Sequence, residues 1–152
     1  MARSKEELKK IAIEAIDRRR KDIIQIGDSI YYEPELGYKE FKTAKKVKRI
    51  FQELNIPYED QIAITGLKGL IKGKKSKYKV AVMGELDSVV SPKHPDADPE
   101  TGAAHCCGHN CMIAAIIGVA YALTDTDIME DLAGDVSVMA IPAEEFVELG
   151  YR

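Results

Sequence analysis

The chain has 152 residues, 45% of them hydrophobic, and a formal net charge of −3. That length suits one domain, and the apolar fraction supports a core and argues against disorder. The acidic balance argues against a nucleic-acid binder, and the longest apolar stretch, Cys111 to Leu123, is too short to cross a bilayer.

Ser4 with Glu7 three residues on reads as a capping box. Apolar residues then recur at helical spacing from Leu8 to Ile30, which predicts one amphipathic helix to about Tyr31. Pro34 and Gly37 break it. A second helix is expected from about Phe41 to Leu54, with Ala44, Val47, Ile50, Phe51 and Leu54 on one face, and Asn55-Ile56-Pro57 stops it.

Ile62 to Ile71 reads as a strand interrupted at Gly66 and Gly69, and Gly73 to Lys77 as a hairpin turn. The lysines from Lys72 to Lys79 read as a solvated turn, a polyanion site being the lesser reading. Lys79 to Leu86, with its Val-Ala-Val-Met run, has the pattern of a strand covered on both faces. Ser88 to Ala104 is a loop by its Pro, Asp and Gly content. Cys107 to Leu123 is a third helix, apolar nearly all round and therefore buried. Asp125 to Gly134 links it to a last strand, Asp135 to Ile141, and a further helix starts at Phe146.

A buried strand, a crossover helix and a second buried strand form a βαβ unit with parallel pairing, within a mixed sheet flanked by helices. In such sheets the site lies beyond the carboxyl ends of the strands. Glu85 and Asp87 sit at that end of one strand, Glu144 and Glu145 at that end of the other, and His105 to His109 lead into the crossover helix. Three distant segments are thereby expected at one rim.

The chemistry available there is metal chemistry. Cys107 and His109 offer a thiolate and an imidazole, which suit zinc, manganese or cobalt, the thiolate favouring zinc. A helix N-terminus lowers a thiol pKa. The bland alternative is a buried structural cysteine and histidine. In an extended segment Glu144 and Glu145 would point to opposite sides. One could then bind metal while the other takes a proton from water; the bland alternative is an acidic helix start. Glu85 and Asp87 point to the same side and could ligate directly or hold a ligand imidazole. His94 reads as a loop histidine, and Cys106 and Cys111 as packing residues. Three cysteines within six residues make a poor disulfide framework and fit reduced thiols. The N-terminus lacks the apolar core of a signal peptide. A cytoplasmic protein is expected.

Glu33-Pro34-Glu35-Leu36-Gly37, Gly84-Glu85-Leu86-Asp87, His105-Cys106-Cys107-Gly108-His109-Asn110 and Pro142-Ala143-Glu144-Glu145 follow one another across nearly the whole chain. In that order they resemble the amidohydrolase branch of the co-catalytic metallo-exopeptidases, peptidase family M-twenty, which includes aminoacylases and aminobenzoyl-glutamate hydrolases. The resemblance implies a three-layer α/β/α sandwich with a mixed sheet, of the phosphorylase/hydrolase-like type, and a site for two divalent ions. It implies Cys107, His109 and Glu145 as metal ligands, Glu144 as general base and Asp87 as an acid orienting the site. Asn110 and Glu85 stand where the family often has Asp, and that variant looks most like the aminobenzoyl-glutamate or dipeptide-hydrolase subgroup.

No histidine follows His109, whereas the family draws further ligands from later segments. Residues 1–152 are therefore expected to be the N-terminal portion of the catalytic domain, without the inserted dimerisation domain and the C-terminal catalytic part. The implied substrate is a small amide, an N-acyl or aryl-acyl amino acid or a dipeptide, and the chain alone is expected to be inactive. An open half-sheet with an unpaired edge and an uncovered apolar face leaves self-association into a homo-oligomer open. Two rivals are a non-catalytic assembly module with a vestigial site and a small reactive-thiol protein.

Overall fold

The computed structural model describes residues 3–149. Helix α1 spans Lys5–Arg18, α2 Arg20–Tyr31 and α3 Phe41–Glu53. Strands β1 (Tyr58–Ile62), β2 (Gly66–Ile71) and β3 (Tyr78–Glu85) follow, then the two-residue pair β4 (Val89–Val90) and β5 (Ala103–Ala104). Helix α4 (His109–Thr124), a 3-10 turn at Ile128–Glu130, β6 (Gly134–Ile141) and α5 (Glu144–Leu149) complete the order. The capping box is present, with the Ser4 hydroxyl accepting from the Glu7 amide and the Glu7 carboxylate accepting from the Ser4 amide.

The single helix expected to Tyr31 is two helices. Arg19 breaks it at φ −93°, ψ 6°, with its amide shared among the carbonyls of Ala15, Ile16 and Asp17. Its guanidinium donates to Asp125 at 2.6 Å and lies 4.7 Å over the Tyr121 ring. The break therefore docks on the far end of α4, an attachment that helical periodicity does not record.

The sheet order is β1-β2-β6-β3. β3 and β6 pair in parallel, Val82 opposite Val138 and Glu85 opposite Ile141, as the βαβ unit requires. β2 runs antiparallel to β6, Leu67 opposite Ala140. The fold is thus α/β with a mixed sheet. Two expectations fail locally. Ile62 to Ile71 is not one strand: β1 and β2 form a hairpin whose turn carries Ala63 and Ile64 at φ 45° and 81°. Residues 73–77 are not a hairpin turn, because β6 lies between β2 and β3. The segment spans the start of β6, and the buried Asp135 carboxylate holds it by accepting from the Gly73 amide (3.1 Å) and the Ser76 hydroxyl (2.9 Å).

One core lies between the sheet and the helices. It joins Ile30 of α2, Val47 and Phe51 of α3, Leu67 of β2, Val138 and Ala140 of β6, and Ile113 and Ile117 of α4. Truncating a fully buried residue such as Ile117 to alanine costs about 2–5 kcal/mol. Gly84 matters to the site, because a Cβ there would lie 3.0 Å from the Met112 carbonyl oxygen. Its absence lets the first turn of α4 rest against the end of β3.

β3 is not covered on both faces. It is an edge strand, and Val80 and Met83 remain 55% and 60% exposed. Helix α4 is buried along Ile113, Ile116, Ile117 and Ala120, but Cys111, Met112 and Ala115 form an exposed stripe. Among the described residues no helix is long and apolar enough to cross a membrane.

Candidate metal centre

Three chain segments meet at the carboxyl ends of β3 and β6. Glu85 closes β3, and Leu86 continues alongside it through its amide to the Ile141 carbonyl (2.8 Å). Gly108, left-handed at φ 86°, turns the chain so that His109 opens α4. Ala143, also left-handed at φ 57°, turns the chain after β6 so that Glu144 and Glu145 open α5.

His109 is the centre of the cluster and its side chain is only 6% exposed. Nδ1 lies 2.9 Å from the Asp87 backbone oxygen and 3.3 Å from Asp87 Oδ1. A carbonyl oxygen only accepts, so a proton sits on Nδ1 and Nε2 is the ring nitrogen turned to the carboxylates. Nε2 faces Glu85 Oε2 at 2.9 Å and Glu144 Oε2 at 3.8 Å. A carboxylate oxygen that close to Nε2 needs a proton or a cation between the two atoms. The donor atoms of Glu85, His109 and Glu144 all lie within 4.8 Å of one another. An imidazole whose far nitrogen is fixed by a carbonyl, among carboxylates, is an arrangement that could hold a divalent metal.

Cys107 is exposed and lies within the electrostatic reach of Glu144. Its thiol hydrogen-bonds the Glu145 carboxylate, and that contact together with partial burial pushes its pKa up to about 11. The Glu145 backbone amide donates to Asp87 Oδ2 at 2.9 Å. Asp87 is fully buried and its Oδ1 has no hydrogen-bond partner. One carboxylate thus reaches both the His109 ring and the start of α5.

Of the residues expected at the site, His109 and Glu144 share the cluster with Glu85, Asp87 lies against His109 and the Glu145 amide, and Cys107 pairs with Glu145; neither Cys107 nor Glu145 joins the Glu85–His109–Glu144 group. The two adjacent glutamates do reach different partners. They do so from the first turn of a helix, where neighbours diverge around the axis, and not from an extended strand end. Glu85, left open between direct ligation and support, makes the shortest contact to Nε2. His105 is buried and hydrogen-bonds the Ile30 backbone, while burial lowers its pKa to about 4 and its Nε2 has no partner. His94 lies in the 88–104 loop, where its Nδ1 accepts from the Asp96 amide. Cys106 and Cys111 are exposed, so they are not packing residues.

Comparison with known proteins places the chain beside peptidases and deacetylases. No family model matches the chain. Thermostable carboxypeptidase 2 of Saccharolobus solfataricus is 33% identical over 132 residues, covering 84% of this chain and 33% of its own. N-acetylcysteine deacetylase of Bacillus subtilis is 31% identical over 127 residues, covering 81% and 33%. Among solved structures, a Bacillus subtilis dinuclear metal-binding peptidase of the M-twenty family superposes with a TM-score of 0.74 at 28% identity. That match covers 89% of this chain and 40% of the other. The chain therefore spans about a third of the length of these curated relatives.

Proposed function

Because the chain belongs to the M-twenty family of metallopeptidases and amidohydrolases, we propose that it is the N-terminal part of a metal-dependent amidohydrolase. The substrate class is an N-acyl or aryl-acyl amino acid or a dipeptide. The observation that carries this proposal is the convergence of Glu85, His109 and Glu144 donor atoms within 4.8 Å, with the Cys107–Glu145 pair alongside.

In the proposed centre Cys107, His109 and Glu145 hold metal, with Glu85 a fourth donor on His109 Nε2. Zinc is the first choice because a thiolate is in the set, and manganese or cobalt are the alternatives. Two bound ions would supply the Lewis acidity and lowered water pKa that amide hydrolysis needs at neutral pH. Glu144 Oε2 accepts the proton of the attacking water and passes it to the leaving amine. Asp87 keeps the His109 ring and the α5 amide in register. The chain contributes three to four donors, and a pair of ions needs more, so we expect no appreciable turnover of an acyl-amino acid by the 152-residue chain itself.

Cobalt titration of the purified chain tests the assignment, because a cobalt–thiolate bond absorbs in the near ultraviolet. The band is expected in the wild type and absent in Cys107→Ser. In a longer, active form Glu144→Gln should abolish turnover while retaining metal. Wild-type protein that takes up no metal, or a band unchanged in Cys107→Ser, would overturn the centre.

A further inference from the structure

Glu40 is a carboxylate that the sequence reading did not single out and the proposed chemistry does not use. It is fully buried at the start of α3. Both of its oxygens are taken by neutral donors. Oε2 accepts from the Thr65 hydroxyl at 2.7 Å, and Oε1 accepts from the Ala143 backbone amide at 2.8 Å. Burying a carboxylate costs free energy that a merely structural contact could avoid with an uncharged acceptor. Its placement at this amide therefore calls for a reason.

Ala143 supplies one. It is fully buried and left-handed at φ 57°, a conformation an L-residue holds only when its surroundings impose it. It is also the corner that turns β6 into α5 and so fixes the direction in which Glu144 and Glu145 leave the sheet. Glu40 holds the amide of that corner, and Asp87 Oδ2 holds the amide two residues later, at Glu145. Two buried carboxylates from different segments thus grip alternate amides across the glutamate pair.

The segment before Glu40 presses on the same corner. A Cβ on Gly37 would lie 2.8 Å from Phe146 Cβ and 3.1 Å from Ala143 Cα, so only glycine allows the approach. Tyr38, at φ 63°, places its ring edge-on to Phe146 with centroids 5.4 Å apart. Residues 37–40 therefore form a cradle for residues 143–146.

We propose that Glu40 is a positioning residue: through the Ala143 amide it sets the left-handed corner that aims the Glu144 and Glu145 carboxylates at His109 and Cys107. This rests on the metal reading of the centre. Glu40 touches no metal donor itself, so its loss acts on the aim of the glutamates and leaves the donor set intact. Supporting groups of this kind typically change metal affinity about 10- to 100-fold.

The experiment compares wild type, Glu40→Gln and Glu40→Met in the 152-residue chain by cobalt titration. Circular dichroism checks folding, and amide hydrogen exchange is read at Ala143. Glutamine keeps an acceptor for the Ala143 amide, and its affinity is expected within about threefold of wild type; methionine keeps none, and a loss of at least about tenfold is expected. The Ala143 amide should be protected in wild type and Glu40→Gln and exposed in Glu40→Met. A folded Glu40→Met protein that binds cobalt as wild type does overturns the proposal. If Glu40→Met does not fold, the Ala143 amide decides: exchange at free-peptide rates in folded wild type or Glu40→Gln overturns it. If wild type binds no cobalt, the metal centre fails on its own account, and the Ala143 amide still tests the corner.

Discussion

His109 and Cys107 are two residues apart, yet they stand in opposite surroundings. The imidazole is buried and held at both nitrogens, by the Asp87 backbone on one side and Glu85 on the other. The thiol is exposed and its one assigned partner is the Glu145 carboxylate. The histidine half of the centre is preorganised by the fold. The cysteine half meets a carboxylate that favours its protonated form, so metal binding there would have to displace that thiol proton. Substitutions on the first half should disturb folding and metal together, and those on the second half should disturb metal alone.

The largest effect should come from Asp87→Ala. It strips the acceptor from the part-buried Glu145 amide and the acid beside His109 Nδ1. Leaving that donor unpaired should destabilise the metal-free chain by about 2 kcal/mol or more, measured by urea unfolding. Asp87→Asn keeps an acceptor for the amide and should recover most of the loss. Equal stability of Asp87→Ala and wild type would mean the histidine half is not built in advance.

Next in size is an acid-dependent loss that belongs to His105. Its folded pKa is lowered to about 4 by burial, with the neighbouring His109 contributing. The unfolded chain therefore takes up the proton first as pH falls. Stability should decline from about pH 6.5 towards pH 4 by linkage, more steeply in wild type than in His105→Gln. Urea unfolding across that range reads the difference in slope. Identical slopes would show that His105 is not held neutral.

How far the sequence disclosed these two halves depends on what each interaction leaves in the order of residues. The rim was legible because βαβ connectivity places strand ends and the crossover helix start together, and Glu85, Asp87, His109, Glu144 and Glu145 all follow from that rule. The β1–β2 turn was not legible, because Ala63 and Ile64 carry positive φ without a glycine or asparagine to mark it. The insertion of β6 between β2 and β3 is a long-range pairing, and residues 73–77 have the composition of a tight turn while bridging a strand. The apolar run of β3 promised cover that the described residues do not supply. Glu40 was invisible as a site residue, since a lone glutamate at a helix start has no local feature that names Ala143 as its partner.

The smallest effects should come from the thiol side. Cys107→Ser should leave the stability of the metal-free chain within about 0.5 kcal/mol of wild type, since it alters an exposed group. Its entire effect should fall on cobalt uptake. A large loss of stability without metal would erase the contrast with His109.

Cys111→Ala completes the comparison. Cys111 is exposed in the first turn of α4, and alanine is the better helix former, by up to about 0.7 kcal/mol. Stability should stay level or rise slightly, and the cobalt–thiolate band should persist. The outcome discriminates because Cys106, Cys107 and Cys111 are all free and near one another in sequence, so a thiolate band alone does not say which sulfur binds. Only Cys107 has its thiol against Glu145 and thereby against the carboxylates of the rim. If the band survives Cys111→Ala and Cys106→Ala but not Cys107→Ser, the sulfur belongs to the same centre as His109. If it vanishes with Cys111 instead, the sulfur ligand lies on the outer stripe of α4, and the preorganised half at His109 stands without the thiol assigned to it.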